Sequence, residues 1–281
     1  MTTSIAAVQL SRRFGEVAAV EDLSFSVEPG EVVGLLGANG AGKTTTMRML
    51  LGLLAPTGGE ALIAGQPVSK VDRRMMGYVP QGLGLYPDLT VAENVEFAAA
   101  SFGVTAPSLT DEGLGAISNL RISDVSLGLK RRVAFVVALC HDPSVLILDE
   151  PTSGVGPLGR ARLWETIRET ADRGAAVLVS THHMEEAEEC DRVVLMAKGK
   201  RVAAGSVKQV IGEARAVALR GDVTESILNT VEGIGGTVLM DGPGWRVVGL
   251  PVEQVRGIVG PDVRVDDVPA SFEEAFVALS R

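Results

Sequence analysis

The sequence predicts an α/β protein: a parallel sheet with crossover helices, a helical insertion, and a small C-terminal α+β module. Three observations carry this expectation. Strand and helix signals alternate from about residue 5 to residue 204, a pattern that implies parallel strands joined by crossover helices. Between residues 88 and 139 the pattern turns mainly helical, broken by one Gly/Ser/Thr/Pro-rich loop near 103–115. After Gly205, short alternating strands interleave with helix candidates.

The strands expected at 31–36, 144–148 and 175–180 are apolar runs, as parallel strands covered on both faces should be. Helices are expected at 44–54, 158–173 and 184–190. In the C-terminal region, strands are expected at 216–220, 237–240, 245–249 and 263–268, with helices at 224–232, 252–259 and 271–279. The expected domains are residues 1–210, including a helical subdomain at about 88–139, and residues 211–281, near the lower size for independent stability.

Of the 281 residues, 46% are hydrophobic and 4% aromatic, an Ala/Val/Leu/Gly-rich make-up that suits buried parallel strands. No apolar run approaches the roughly 18–20 residues needed to span a bilayer. The start, Met1-Thr2-Thr3-Ser4, lacks the basic and apolar regions of a signal peptide. A cytosolic chain is therefore expected, reaching a membrane only through a partner. The net charge of −9 and pI near 5.0 argue against a nucleic-acid partner. Cys140 and Cys190 have no metal-site spacing and are expected to be reduced thiols.

The segment Gly37-Ala38-Asn39-Gly40-Ala41-Gly42-Lys43-Thr44 fits G-x-x-x-x-G-K-[ST] in full, between a strand and a helix. Its glycines permit positive φ and let backbone N–H groups close on phosphate oxygens. Lys43 would reach the β- and γ-phosphates, Thr44 would ligate Mg²⁺, and Asn39 and Thr45 flank the same anion-binding helix start. ATP with Mg²⁺ is thus the expected ligand. About a hundred residues on, Val145-Leu146-Ile147-Leu148-Asp149-Glu150 ends an apolar strand in two acids, at the edge where open α/β sheets bind ligands. Asp149 would hold Mg²⁺ and Glu150 would polarise the attacking water. A third strand runs into Thr181-His182-His183. An imidazole there can touch the γ-phosphate or act as a surface or capping residue, and the strand-end position favours the first role for His182.

Together these elements resemble the ATP-binding-cassette family over roughly residues 5–210. The resemblance implies a P-loop NTPase parallel sheet with an antiparallel edge subdomain and a helical insertion, plus the small C-terminal domain. It also implies that Phe14 stacks on adenine, the alternative being a core Phe, and that Gln81 reaches Mg²⁺ and the attacking water. Asp149, Glu150 and His182 match the family's metal-holding aspartate, catalytic glutamate and switch histidine. Residues 44–54 with Pro56-Thr57-Gly58-Gly59-Glu60, and the tail Ser271-Phe272-Glu273-Glu274-Ala275-Phe276, are similar to bacterial exporters of the drug-resistance, daunorubicin type.

One stretch departs from the family pattern. Where the family has L-S-G-G-Q, this chain has Val125-Ser126-Leu127-Gly128-Leu129, so Ser126 and Gly128 stay as candidate nucleotide contacts beside two leucines. Gly156 stands where the family has Asp. Both changes affect what the chain would offer an opposing cassette and leave its own ATP-handling residues intact. The resemblance then implies a transmembrane permease, contacted through Leu83-Gly84-Leu85-Tyr86-Pro87-Asp88, and a second cassette, expected to be a different chain. It implies a peripheral position on the cytoplasmic face of the membrane. A regulatory subunit with little hydrolysis, or a non-transport cassette ATPase, are the competing readings.

Overall fold

The computed structural model describes residues 4–212, 214–260 and 262–279, so residues 1–3 of the expected leaderless start lie outside the described residues. The chain divides into two compact units between Arg201 and Val202, earlier than the boundary expected after residue 210.

The first unit opens with β1 (Ile5–Phe14) and β2 (Val17–Val27), an antiparallel pair. A third strand, β3 (Val32–Leu36), leads through a glycine-rich loop into α1 (Lys43–Leu50). Next come β4 (Gly58–Ile63) and β5 (Gln66–Pro67), with β4 antiparallel to β1. The chain continues through β6 (Met76–Val79), α2 (Val91–Phe102), α3 (Leu127–Leu139) and β7 (Val145–Asp149). It ends with α4 (Pro157–Asp172), β8 (Ala176–Thr181), β9 (Arg192–Ala197) and β10 (Lys200–Gly205), the last of which crosses the division between units.

Two sheets result, an antiparallel one ordered β2-β1-β4-β5 and a six-stranded one ordered β10-β9-β3-β8-β7-β6. In the larger sheet β9, β3, β8, β7 and β6 run parallel, and every residue of β3, β7 and β8 is buried. That is why these strands lack polar alternation: helices and the second sheet cover both faces. Ile147, Leu178 and Val194 sit in this core with Met47 and Leu50 of α1, and each such burial is worth about 1.5–3 kcal/mol.

The helical insertion is α2 and α3 with the chain between them, closed on Val91, Val95, Ile122, Val125 and Val133. Thr90 and Glu93 start α2 with a reciprocal capping box, satisfying two of its free N–H groups.

In the second unit α5 (Val207–Ile211) is followed by β11 (Arg215–Gly221), α6 (Glu225–Gly233), β12 (Thr237–Asp241) and β13 (Gly244–Val248). Then come α7 (Val252–Arg256), β14 (Val263–Pro269) and α8 (Phe272–Leu279). Its antiparallel sheet is ordered β12-β13-β11-β14 and buries Val217, Leu219, Val231, Val247 and Val255.

The predicted fold class is present in all its parts, and three helix expectations need correction. The helix expected over 44–54 ends at Leu50, because Gly52 turns to φ 66° and the Arg73 guanidinium takes up the Leu51 carbonyl. The helix expected over 184–190 is a 3₁₀ segment at Met184–Glu189, only Glu186 and Ala187 of which are buried. The helix expected over 252–259 stops at Arg256, before Gly257. Both cysteines are free, and burial raises the Cys190 thiol to about 12, leaving it unreactive at neutral pH. Among the described residues no helix is long and apolar enough to cross a membrane.

Candidate functional site

Four neighbouring parallel strands end side by side: β3 leads into the glycine-rich loop, and β8, β7 and β6 each deliver a polar residue to the same edge. The register sets Leu36 beside Thr181, Asp149 beside Ser180, and Val79 beside Leu148. One residue beyond these pairs lie Gly37, which opens the phosphate loop, Glu150 and His182, and Gln81 follows two beyond Val79. Open α/β sheets bind ligands at such a row of carboxyl ends.

The loop between β3 and α1 has little freedom. Gly40 and Gly42 adopt φ of 82° and 102°. A Cβ at Gly37 would run into the Met196 carbonyl, and one at Gly42 would lie 2.6 Å from the Ala19 carbonyl. Lys43 folds back over the loop, donating to the carbonyls of Gly37 at 2.7 Å and Ala38 at 3.2 Å. Burial holds the Lys43 pKa below its ordinary 10.5, while attraction to Glu150 and then Asp149 opposes that shift. An under-compensated buried ammonium at a helix N-terminus is a site for an anion.

The acids are held by separate networks. Asp149, nearly fully buried, accepts from Ser180 Oγ at 2.6 Å, and Thr44 Oγ1 lies 3.4 Å from the same oxygen. Glu150 sits at φ 50°, a left-handed conformation uncommon outside glycine. Its N–H donates to Ser180 Oγ at 3.0 Å, and its carbonyl accepts from Arg131 Nη1 at 3.0 Å. Its carboxylate meets His182 Nδ1 at 3.1 Å, Gln81 Nε2 at 3.2 Å and Lys43 Nζ at 4.0 Å. In front of these groups lies a cleft of about 310 Å³ lined by Asn39, Gly40, Gly42, Lys43, Thr44, Thr45, Gln81 and Glu150, with Ala19 and Ala41.

The model for the family described as ABC transporter matches residues 20–153. Nod factor export ATP-binding protein I of Paraburkholderia xenovorans (strain LB400) is 42% identical, over 97% of this chain and 95% of that protein. The chain belongs to the ABC transporter family. The probable multidrug ABC transporter ATP-binding protein YbhF of Escherichia coli (strain K12) is 40% identical over 73% of this chain. That alignment covers 37% of YbhF, so the chain spans little more than a third of that relative's length. A solved structure of the ATP-binding subunit of an ABC transporter is 31% identical, with a TM-score of 0.68, over 74% of this chain and 92% of that one.

Other residues singled out in the sequence lie outside the cleft. Phe14, at the end of β1, is half exposed, and the Arg12 guanidinium carbon lies 4.7 Å from its ring centroid. Ser126 is the N-cap residue of α3 and makes no side-chain cap bond. Gly128 has open space where a Cβ would project. Leu127, partly exposed, leans over the loop before α4, where a Cβ on Gly154 would meet its Cδ2 at 2.9 Å. Gly156, the N-cap residue of α4, likewise offers α4 no side-chain cap.

Two residues of this network escaped the sequence reading. Ser180 looked like one more strand residue, although a hydroxyl directly before Thr181-His182 closes an otherwise apolar run. Arg131 looked like part of a short basic cluster. Yet Arg131, Ala134, Phe135 and Ala138 share the buried face of α3, an i, i+3, i+4, i+7 spacing that marks this arginine as the inward one.

Proposed function

We propose that this chain is the ATP-hydrolysing subunit of an ABC exporter, working with a membrane permease and a second cassette that is a different chain. The observation carrying the reading is the Glu150 carboxylate, bracketed by His182, Gln81 and Lys43 at the rim of the phosphate-loop cleft. In this reading the N–H groups of residues 39–45 and the Lys43 ammonium take the phosphates, and the half-exposed Phe14 ring stacks on the base. Glu150 draws the proton from water, His182 orients that carboxylate and contacts the terminal phosphate, and Gln81 ties the site to the helical insertion.

Mg²⁺ fits the donor set: Thr44 and Asp149 are hard oxygen ligands 3.4 Å apart, and Gln81 is adjacent. Among the described residues no group of three or more His, Cys, Asp or Glu is placed to hold a metal ion by itself. Bound there, Mg²⁺ would neutralise charge on the phosphates.

Export is supported by the relatives, which are named for Nod factor export and multidrug transport. The heterodimer is supported by Leu127 and Gly156. Leu127 leans on the Gly154 loop and Gly156 follows it, so these two departures lie close together, while Leu129 packs against the core of the helical insertion. Ser126 and Gly128 would meet the partner's nucleotide, and a different cassette would supply this chain's ATP with an unaltered signature. The exposed Tyr86, edge-on to exposed Phe97 at 5.2 Å, is an aromatic anchor for a permease helix. The position is then peripheral, at the cytoplasmic face of the membrane.

The test is Glu150→Gln in the assembled transporter. Turnover should fall at least about 100-fold with nucleotide affinity kept, the scale of a lost general base. Near-normal turnover would show that Glu150 is not the base and that the partner's site does the work.

A further inference from the structure

We propose that Arg131 is a positioning residue for hydrolysis, its guanidinium holding the Glu150 peptide so that the carboxylate faces the phosphate-loop cleft. The proposal rests on the reading of Glu150 as the base. Arg131 lies on the second turn of α3 and is only 4% exposed. A cation so buried is costly unless it has a directed partner, and an apolar side chain would fill the same space without that cost. Its directed partner is the Glu150 carbonyl, 3.0 Å from Nη1, whereas Nε has no hydrogen-bond partner among the described residues.

The need for such a hold comes from the backbone. Glu150 is at φ 50°, so without restraint its peptides would relax toward the right-handed or extended regions and swing the Cβ away. Ser180 restrains the N-terminal side, accepting the Glu150 N–H through its hydroxyl at 3.0 Å and its carbonyl at 3.2 Å. Arg131 restrains the C-terminal side at 3.0 Å, joined on the same carbonyl by the longer bond from the Ser153 N–H at 3.3 Å. The carboxylate lies between these two grips and reaches His182 and Gln81. Because Arg131 follows Leu127 and Gly128 by one turn, a displacement of the start of α3 is carried directly to the base.

The experiment compares Arg131→Met, Arg131→Lys, Glu150→Gln and the Arg131→Met/Glu150→Gln double variant of the full chain with its membrane partner. It reads kcat, KM and melting temperature. Arg131→Met should lower kcat about 10- to 100-fold, the scale of a mispositioned catalytic group, with KM for ATP within about twofold. Arg131→Lys, which keeps a cationic donor, should recover turnover to within about threefold of the parent. In the Glu150→Gln background Arg131→Met should cost nothing further, because its effect runs through that carboxylate. Unchanged kcat in Arg131→Met, no recovery in Arg131→Lys, or an undiminished loss in the Glu150→Gln background overturns the proposal. If Arg131→Met melts more than about 5 °C below the parent, Arg131→Lys decides: a loss beyond about tenfold at an unchanged melting temperature overturns it. Failure of the underlying reading is separate, since it shows as retained turnover in Glu150→Gln alone.

Discussion

Replacing Ser180 with alanine removes one oxygen that serves both acids of the site. Ser180 is fully buried, so no water can take over its bonds. Its hydroxyl donates to Asp149 Oδ1 at 2.6 Å, a charge-assisted bond whose loss costs about 1.5–3 kcal/mol. It also accepts the Glu150 N–H at 3.0 Å, but that N–H keeps the Ser180 carbonyl at 3.2 Å, so this second loss adds only about 0.5 kcal/mol. The sum is about 2–3.5 kcal/mol, and at about 2–4 °C per kcal/mol for a unit of this size the melting temperature should fall by about 4–14 °C. Calorimetry of the full chain reads this directly. Among the described residues the same variant leaves the Asp149 carboxylate with the 3.4 Å hydrogen bond from Thr44, so the Mg²⁺ concentration for half-maximal turnover should rise. A melting temperature within about 1 °C of the parent would refute the reasoning, because a buried carboxylate cannot lose its shortest donor without cost.

Gly40→Ala and Gly42→Ala separate backbone strain from collision. Gly40 has open space around a Cβ, so only its φ of 82° opposes alanine, and a loss of about 1 kcal/mol is expected. Gly42 adds a Cβ 2.6 Å from the Ala19 carbonyl, so the loop must move and ATP affinity should drop by more than about tenfold. Equal affinities in the two variants would contradict this. In the second unit the Glu274 carboxyl is held below its ordinary 4.5: burial opposes the shift, but bonds from Arg246 and Ser271 outweigh it. A depressed folded-state value stabilises above the unfolded pKa and is lost as pH falls through the folded one. Trp245 fluorescence should therefore report destabilisation of this unit below about pH 4.5, flattened in Glu274→Gln, and an identical acid profile would count against it.

Local chemistry made much of the molecule legible from the chain alone. Residues 37–44 announce a phosphate loop because the glycines, Lys43 and Thr44 must fall within one loop and the first helical turn. The buried strands read as apolar runs because both faces are covered, and Asp149-Glu150 stands out as the polar end of one. Helix ends were less legible, since Gly52 and Arg73 stop α1 through a contact that spans 22 residues from Arg73 to Leu51. Tertiary structure alone decided how the acids are held. Pairing of β7 with β8 sets Ser180 beside Asp149, and packing of α3 against the end of β7 sets Arg131 on the Glu150 carbonyl, 19 residues away in the chain. Neither partner carries a motif, because a hydroxyl or guanidinium acquires such a role only from register and burial. The left-handed turn at Glu150 was equally invisible, for glutamate has no preference for that conformation and the surrounding bonds impose it.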